Sequence, residues 1–151
     1  VGVKLFHGNR PEEALMAFNR TIASDPENSL AHFSRGLVLN KLDRPYDALA
    51  AFNESLKLDP KNVSAWNNKG ILHYQNARYD DALYAFDAAI RCDPSHAQSY
   101  HNRGLVLLKM NRHTDALASF SQSTLMDQER SGSIDRDFLK KRILASGQKK
   151  A

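Results

Sequence analysis

Apolar residues return at three- and four-residue steps along most of the chain, with polar or charged residues between them. From about Ala31 to Lys41, and again from about Pro45 to Leu58 with Leu49, Phe52 and Leu56 as the clearest run, this spacing predicts one face of an α-helix. Leu42 to Arg44 separate the two stretches as a turn. Pro11 and Pro45 suit the first turn of the second helix, where a missing N–H costs nothing. Glu12, Glu13, Asp47, Asp80, Asp81 and Asp115 place negative charge at the positive end of that helix. Asp-Pro then ends it, because proline disfavours helical geometry in the residue before it. The pattern predicts a helical hairpin.

The hairpin recurs. Asp25-Pro26, Asp59-Pro60 and Asp93-Pro94 follow one another at steps of 34, and Asp127 continues the series with Gln128 in place of proline. The same step links Gly2, Gly36, Gly70 and Gly104; Ala14, Ala48, Ala82 and Ala116; Leu15, Leu49, Leu83 and Leu117; and Phe18, Phe52, Phe86 and Phe120. Small residues in register have a packing reason. The glycines fall where the paired helices approach, and each alanine lies four residues before a phenylalanine that fills the gap beside it. A period of this length is the signature of a stacked helical array.

Trp66, Gly70, Ala82, Phe86 and Pro94, and then Tyr100, Gly104, Ala116 and Phe120, carry a resemblance to the tetratricopeptide repeat family. It covers roughly residues 1–130. Arg35, Lys69 and Arg103 depart from it where the family has leucine before the glycine, and His32 departs where it has a large aromatic. The resemblance implies an all-α, right-handed superhelical solenoid of antiparallel hairpins. Its expected parts are a partial first repeat at 1–28 that begins inside a hairpin, repeats at 29–62, 63–96 and 97–130, a capping helix at 131–145 and a basic tail at 146–151. The cap is read from Ile134, Phe138, Leu139 and Ile143, spaced for one apolar stripe, which turns Lys140, Lys141 and Arg142 to water. Val1 stands where most of a helix is due, so the chain reads as a fragment of a longer protein.

Charge sharpens this picture only at the end of the chain. Of 151 residues, 25% are charged and 42% hydrophobic, with a net charge of +4. Residues 1–130 are balanced, and the excess sits in Arg136, Lys140, Lys141, Arg142, Lys149 and Lys150 against Asp135 and Asp137. A nucleic-acid binder spreads Lys and Arg over a face of its fold, so a neutral body argues against that class. The longest uncharged apolar run, Gly104 to Leu108, falls far short of the ~20 residues that cross a bilayer. The lone Cys92 closes no internal disulfide, which points to a reducing, cytoplasmic setting.

Candidate chemistry is sparse. The sequence has no phosphate loop, His-Glu-x-x-His motif, cysteine pair or nucleophile elbow, so no enzyme, cofactor or metal site is expected. His32 and His73 sit in columns where the family has aromatics and read as core or groove residues. His96 and His101, five apart, are not expected to share a helix face. Cys92 shares a column with Leu58 and Met126 and reads as a buried thiol. Arg10, Arg44, Arg78 and Arg112 all fall at the intra-hairpin turn. They either pair locally with Glu13, Asp47, Asp81 and Asp115 or form an edge for an acidic partner.

A stack of hairpins binds. The resemblance implies a concave surface lined by the first helix of each hairpin, holding a segment of another protein. On this chain it comprises Phe33, Leu37, Asn67, Asn68, Tyr74, Gln98, His101, Asn102 and Lys109. Some family members grip a partner's terminal carboxylate with lysine, asparagine and arginine. Of the matching positions Phe33, Leu37, Asn68, Gln98 and Asn102, only Asn68 fits that clamp. Asn68 and Asn102 match instead the asparagines aimed at a peptide backbone, where an amide both donates and accepts. The expected function is a non-catalytic interaction scaffold. The alternatives are the recruiting arm of an enzyme whose catalytic part lies elsewhere and a structural repeat that self-associates through its open N-terminal hairpin.

Overall fold

The computed structural model describes residues 10–132 and, beyond them, Asp137, Lys141, Arg142, Leu144 and Ala145. In chain order its helices are α1 (Pro11–Ser24), α2 (Ser29–Lys41), α3 (Pro45–Leu58), α4 (Val63–Gln75), α5 (Tyr79–Cys92), α6 (Ala97–Lys109) and α7 (His113–Arg130). The pairs α2–α3, α4–α5 and α6–α7 are hairpins. Each packs on the next through α3 against α4 and α5 against α6, while α1 packs on α2 as the second helix of the first unit.

Local chemistry sets each boundary. The helix α2 starts at Ser29, two residues before the apolar spacing begins, because Asn28 caps it. The Oδ1 of Asn28 accepts from Ala31 N at 2.9 Å, and Asn62 does the same for Ala65 in α4. At the turn inside each hairpin Asp43, Ala77 and Asn111 adopt left-handed geometry, with φ of 56°, 56° and 57°. This lets the N–H groups of Arg44, Arg78 and Arg112 reach back to Leu39, His73 and Leu107 O at 2.9, 2.9 and 2.8 Å, a closed helix terminus. The loops between hairpins are pinned as well. His32 Nε2, Trp66 Nε1 and Tyr100 Oη each lie 2.9 Å from the carbonyl of Pro26, Pro60 or Pro94. A carbonyl only accepts, so His32 carries its proton on Nε2. Its departure from the aromatic pattern therefore preserves the donor.

Within each hairpin glycine meets phenylalanine. A Cβ on Gly36, Gly70 or Gly104 would lie 2.5, 2.6 or 2.7 Å from the ring of Phe52, Phe86 or Phe120, so the helices come this close only because the side chain is missing. Ala48, Ala82 and Ala116 are fully buried beside those rings.

The ends depart from the sequence reading. With Gln128 in place of proline, α7 continues to Arg130 and reaches 18 residues, against 14 for α3. Met126 is consequently mid-helix and buried, whereas Leu58 and Cys92 are the last residues of their helices and exposed. The expectation of a buried Cys92 is thus corrected. Its thiol sits at the surface, 3.6 Å from Pro60 O. Asp137, Lys141, Arg142, Leu144 and Ala145 are helical and exposed. The apolar stripe of the expected cap, the open first hairpin and the tail at 146–151 lie outside the described residues.

Candidate functional site

The first helices α4 and α6 touch each other as well as their own partners, so the first helices form the tight inner side of the stack. The second helices stand on the outer side. Residues two apart on a helix point about 200° from each other. Arg103 reaches Asp87 of α5 and Ser119 of α7, so its column with Arg35 and Lys69 faces the second helices, and Leu37, Ile71 and Leu105 face the inner side.

The nine expected inner residues divide into three groups. Phe33, Leu37 and Tyr74 are half-buried: Phe33 lies 5.8 Å from the Phe52 ring, Tyr74 lies 5.9 Å from Tyr79, and Leu37 joins the cluster around Leu39, Phe52 and Leu72. Gln98, His101 and Lys109 are exposed, with the His101 ring 5.3 Å from Phe120. The three asparagines do not behave alike. Asn68 is half-buried and donates from Nδ2 to Ser64 O at 2.8 Å. Asn67 and Asn102 are buried, 8% and 7% exposed, and meet each other.

That meeting corrects the reading of Asn102 as an exposed amide. Its Nδ2 donates to Asn67 Oδ1 at 3.0 Å, its Oδ1 accepts from Gln98 Nε2 at 3.1 Å, and Ser99 Oγ donates to Asn67 Oδ1 at 3.4 Å. Asn67 and Asn102 belong to different columns of the repeat, 35 residues apart. A contact one residue out of register leaves no trace in the 34-residue columns. The amides tie α4 to α6, and a buried amide network of this kind fixes orientation because each member loses most of its hydrogen bonding if the helices shift.

A cleft of about 440 Å³ opens at the C-terminal end of the stack, bounded by Gln98, His101, His96 and Asp93 on one side and Ser123, Met126 and Asp127 on the other. His96 and His101 both line it without sharing a helix face. His96 is the cap of α6 rather than a member of the helix, and its Nδ1 lies 2.7 Å from Ser99 Oγ. Hydrogen bonds from Ser95 hold the Asp93 carboxyl below the usual carboxylate range. Among the described residues no group of His, Cys, Asp and Glu is placed to hold a metal ion, and no helix is long and apolar enough to cross a membrane.

The turn arginines take the local option. Arg44, Arg78 and Arg112 pair with Asp47, Asp81 and Asp115 at 2.7, 2.8 and 2.7 Å, and Arg10 pairs with Glu13. Each arginine precedes a second helix and its carboxylate lies in that helix's first turn, so the pair belongs to the helix start. An acidic edge partner would have to displace four such contacts.

Family comparison agrees with this architecture. A family description, Tetratricopeptide repeat, matches residues 5–63 and 41–97, and a second of the same description matches 85–118. The chain belongs to the tetratricopeptide repeat family. No curated protein sequence matches it. Among solved structures, a crystal structure of MamA is similar at a TM-score of 0.83 and 17% identity, covering 87% of this chain and 77% of that one. YrrB, described as a TPR protein with an unusual peptide-binding site, is similar at 0.74 and 24% identity, covering 83% of this chain and 64% of that one. The first TPR of Spaghetti (RPAP3), bound to the HSP90 peptide SRMEEVD, is similar at 0.70 and 15% identity, covering 73% and 87%.

Proposed function

We propose that this chain is a protein-interaction scaffold that holds an extended segment of a partner protein along its inner side. The supporting observation is the run of accessible groups on successive first helices. Half-buried Phe33, Leu37 and Tyr74 offer apolar contact, and exposed Gln98, His101 and Lys109 offer hydrogen bonds and charge, on a surface whose own helices are fixed in place by Asn67 and Asn102. Asn68 remains the amide placed to meet a peptide backbone. Asn102 acts indirectly, by positioning Gln98. The clamp for a terminal carboxylate is absent, so recognition runs along the segment and needs no free end.

A peptide selected from a random displayed library should bind with a Kd around micromolar, ~8 kcal/mol. Replacing His101 by Asp and Lys109 by Glu together should weaken it about tenfold with little change in the melting curve, since both side chains are exposed. Amidating the peptide's C-terminus should leave affinity unchanged. Loss of binding on amidation would show end-group recognition instead, and full binding by the double variant would remove the inner side as the site.

A further inference from the structure

Where the family pattern has leucine, this chain carries Arg35, Lys69 and Arg103. Arg35 lines a groove between α1 and α3, Lys69 lines one between α3 and α4, and Arg103 reaches α5 and α7. The first groove, about 240 Å³, places Arg35 with Leu15 and Asn19 of α1, Leu39 of α2, and Arg44, Asp47 and Ala50 of α3. The second, about 480 Å³, places Lys69 and Trp66 of α4 beside Asn53, Glu54, Leu56 and Lys57 of α3.

The third position shows what such a cation takes. Arg103 Nε donates to Asp87 Oδ1 at 2.7 Å, and its Nη1 donates to Ser119 Oγ at 2.8 Å. Asp87 comes from the preceding second helix, sixteen residues earlier. One and two repeats back, the residues at that place are Asn53 and Asn19, so neither Lys69 nor Arg35 meets a carboxylate there.

The other acids nearby are engaged elsewhere: Asp47 with Arg44, Glu54 with Lys57 and Asp81 with Arg78. The lining of each groove thus carries one net positive charge, with Asp81 acting on Lys69 and Arg35 on Glu54 only at a distance. The Nε of Arg35 is buried and has no hydrogen-bond partner among the described residues. Lys69 Nζ lies 5.2 Å from the centre of the Trp66 ring, and burial pulls the amine's pKa down from its ordinary value. A buried guanidinium donor without an acceptor is costly, and a carboxylate is the group that matches its fork.

We propose that the Arg35 and Lys69 grooves form a second binding surface, on the side opposite the peptide-holding face, which takes carboxylate side chains from an acidic segment of a partner protein in the way Asp87 serves Arg103. The apolar parts of the grooves, Leu15, Leu39, Leu56 and Trp66, accept the methylene stems of glutamate. A polypeptide suits this better than a nucleic acid, because the neighbouring ion pairs leave one cation per groove rather than a basic field.

The test uses the whole chain and a fluorescently labelled oligoglutamate peptide, read by anisotropy at low salt. Asn19→Asp with Asn53→Asp rebuilds the internal carboxylate in both grooves. Both asparagines are exposed, so the fold should tolerate the change. This variant should bind the probe about tenfold more weakly or worse, while the peptide selected on the inner side still binds as to the parent. Arg35→Met with Lys69→Met should lose the probe equally. Asp87→Asn, which frees Arg103, should strengthen it. Unchanged oligoglutamate affinity in the two aspartate substitutions would overturn the proposal and place the binding on the basic residues beyond 131. Equal competition by inorganic phosphate or a short RNA would overturn it too, by showing an anion site without preference for a polypeptide.

Discussion

The joint between the second and third hairpins and the joint between the third and fourth follow the same 34-residue plan with different chemistry. In the earlier joint Leu39, Ala48, Ala51 and Phe52 meet Leu72, with Leu37 and Leu49 against them. In the later one Phe86 and Val106 keep an apolar centre, and around it stand Asn67, Asn102, Ser99 and the Arg103–Asp87 contact. An apolar joint is held by close packing, whose attraction is non-directional. A joint that includes buried amides is held in direction as well, since every displaced donor loses its partner. The same repeat can therefore be made adhesive in one place and exacting in another.

The largest effect should come from emptying the apolar centre. Phe52→Ala should cost about 3–5 kcal/mol in denaturant unfolding, because the ring is fully buried and Gly36 offers nothing to refill its space. If that loss were below about 1 kcal/mol, the earlier joint would not rest on burial at all.

Next in size is the amide pair. Asn67→Ala or Asn102→Ala should each cost about 1–3 kcal/mol, and the double variant should cost clearly less than the sum, because the second change removes a group the first has already orphaned. Asn68→Ala, at a half-buried site bonded only within its own helix, should change stability by under ~1 kcal/mol. Additive losses at Asn67 and Asn102 would break the contrast between the joints.

The smallest effect is a pH slope. His73 occupies the column of Leu39 and Leu107, is 8% exposed, and has an Nδ1 without a partner among the described residues. Burial is the main cause of its lowered pKa, and the Asp81 charge only partly offsets it. A folded-state pKa below the unfolded value of 6.5 means that the neutral form is favoured by folding. Stability should be full above that value and fall as the pH drops through it. His73→Leu should raise the melting temperature and flatten the acid limb, as measured by thermal melts across pH. An unchanged limb would assign the acid sensitivity to another group.

The helices, the Gly–Phe contacts and the local pairing of the turn arginines were readable in the sequence, because each is set by residues within one repeat or in register between repeats. Two features were not. The Asn67–Asn102 contact crosses registers, so column logic placed Asn102 at the surface. The exposure of Cys92 depends on where a helix ends, which Pro94 decides locally and the column average hides. Of the inner surface, the side of the helix was legible and the accessibility of each amide was not.

The three pinned loops bear on how this surface meets a partner. An imidazole, an indole and a phenol each hold a proline carbonyl, so each loop between successive hairpins is tied to the first helix that follows it and has little freedom to flex. A partner segment therefore encounters a shape that already exists before contact. The ordering entropy of association falls on the segment rather than on the receptor, which favours binders that are themselves stiff or already extended.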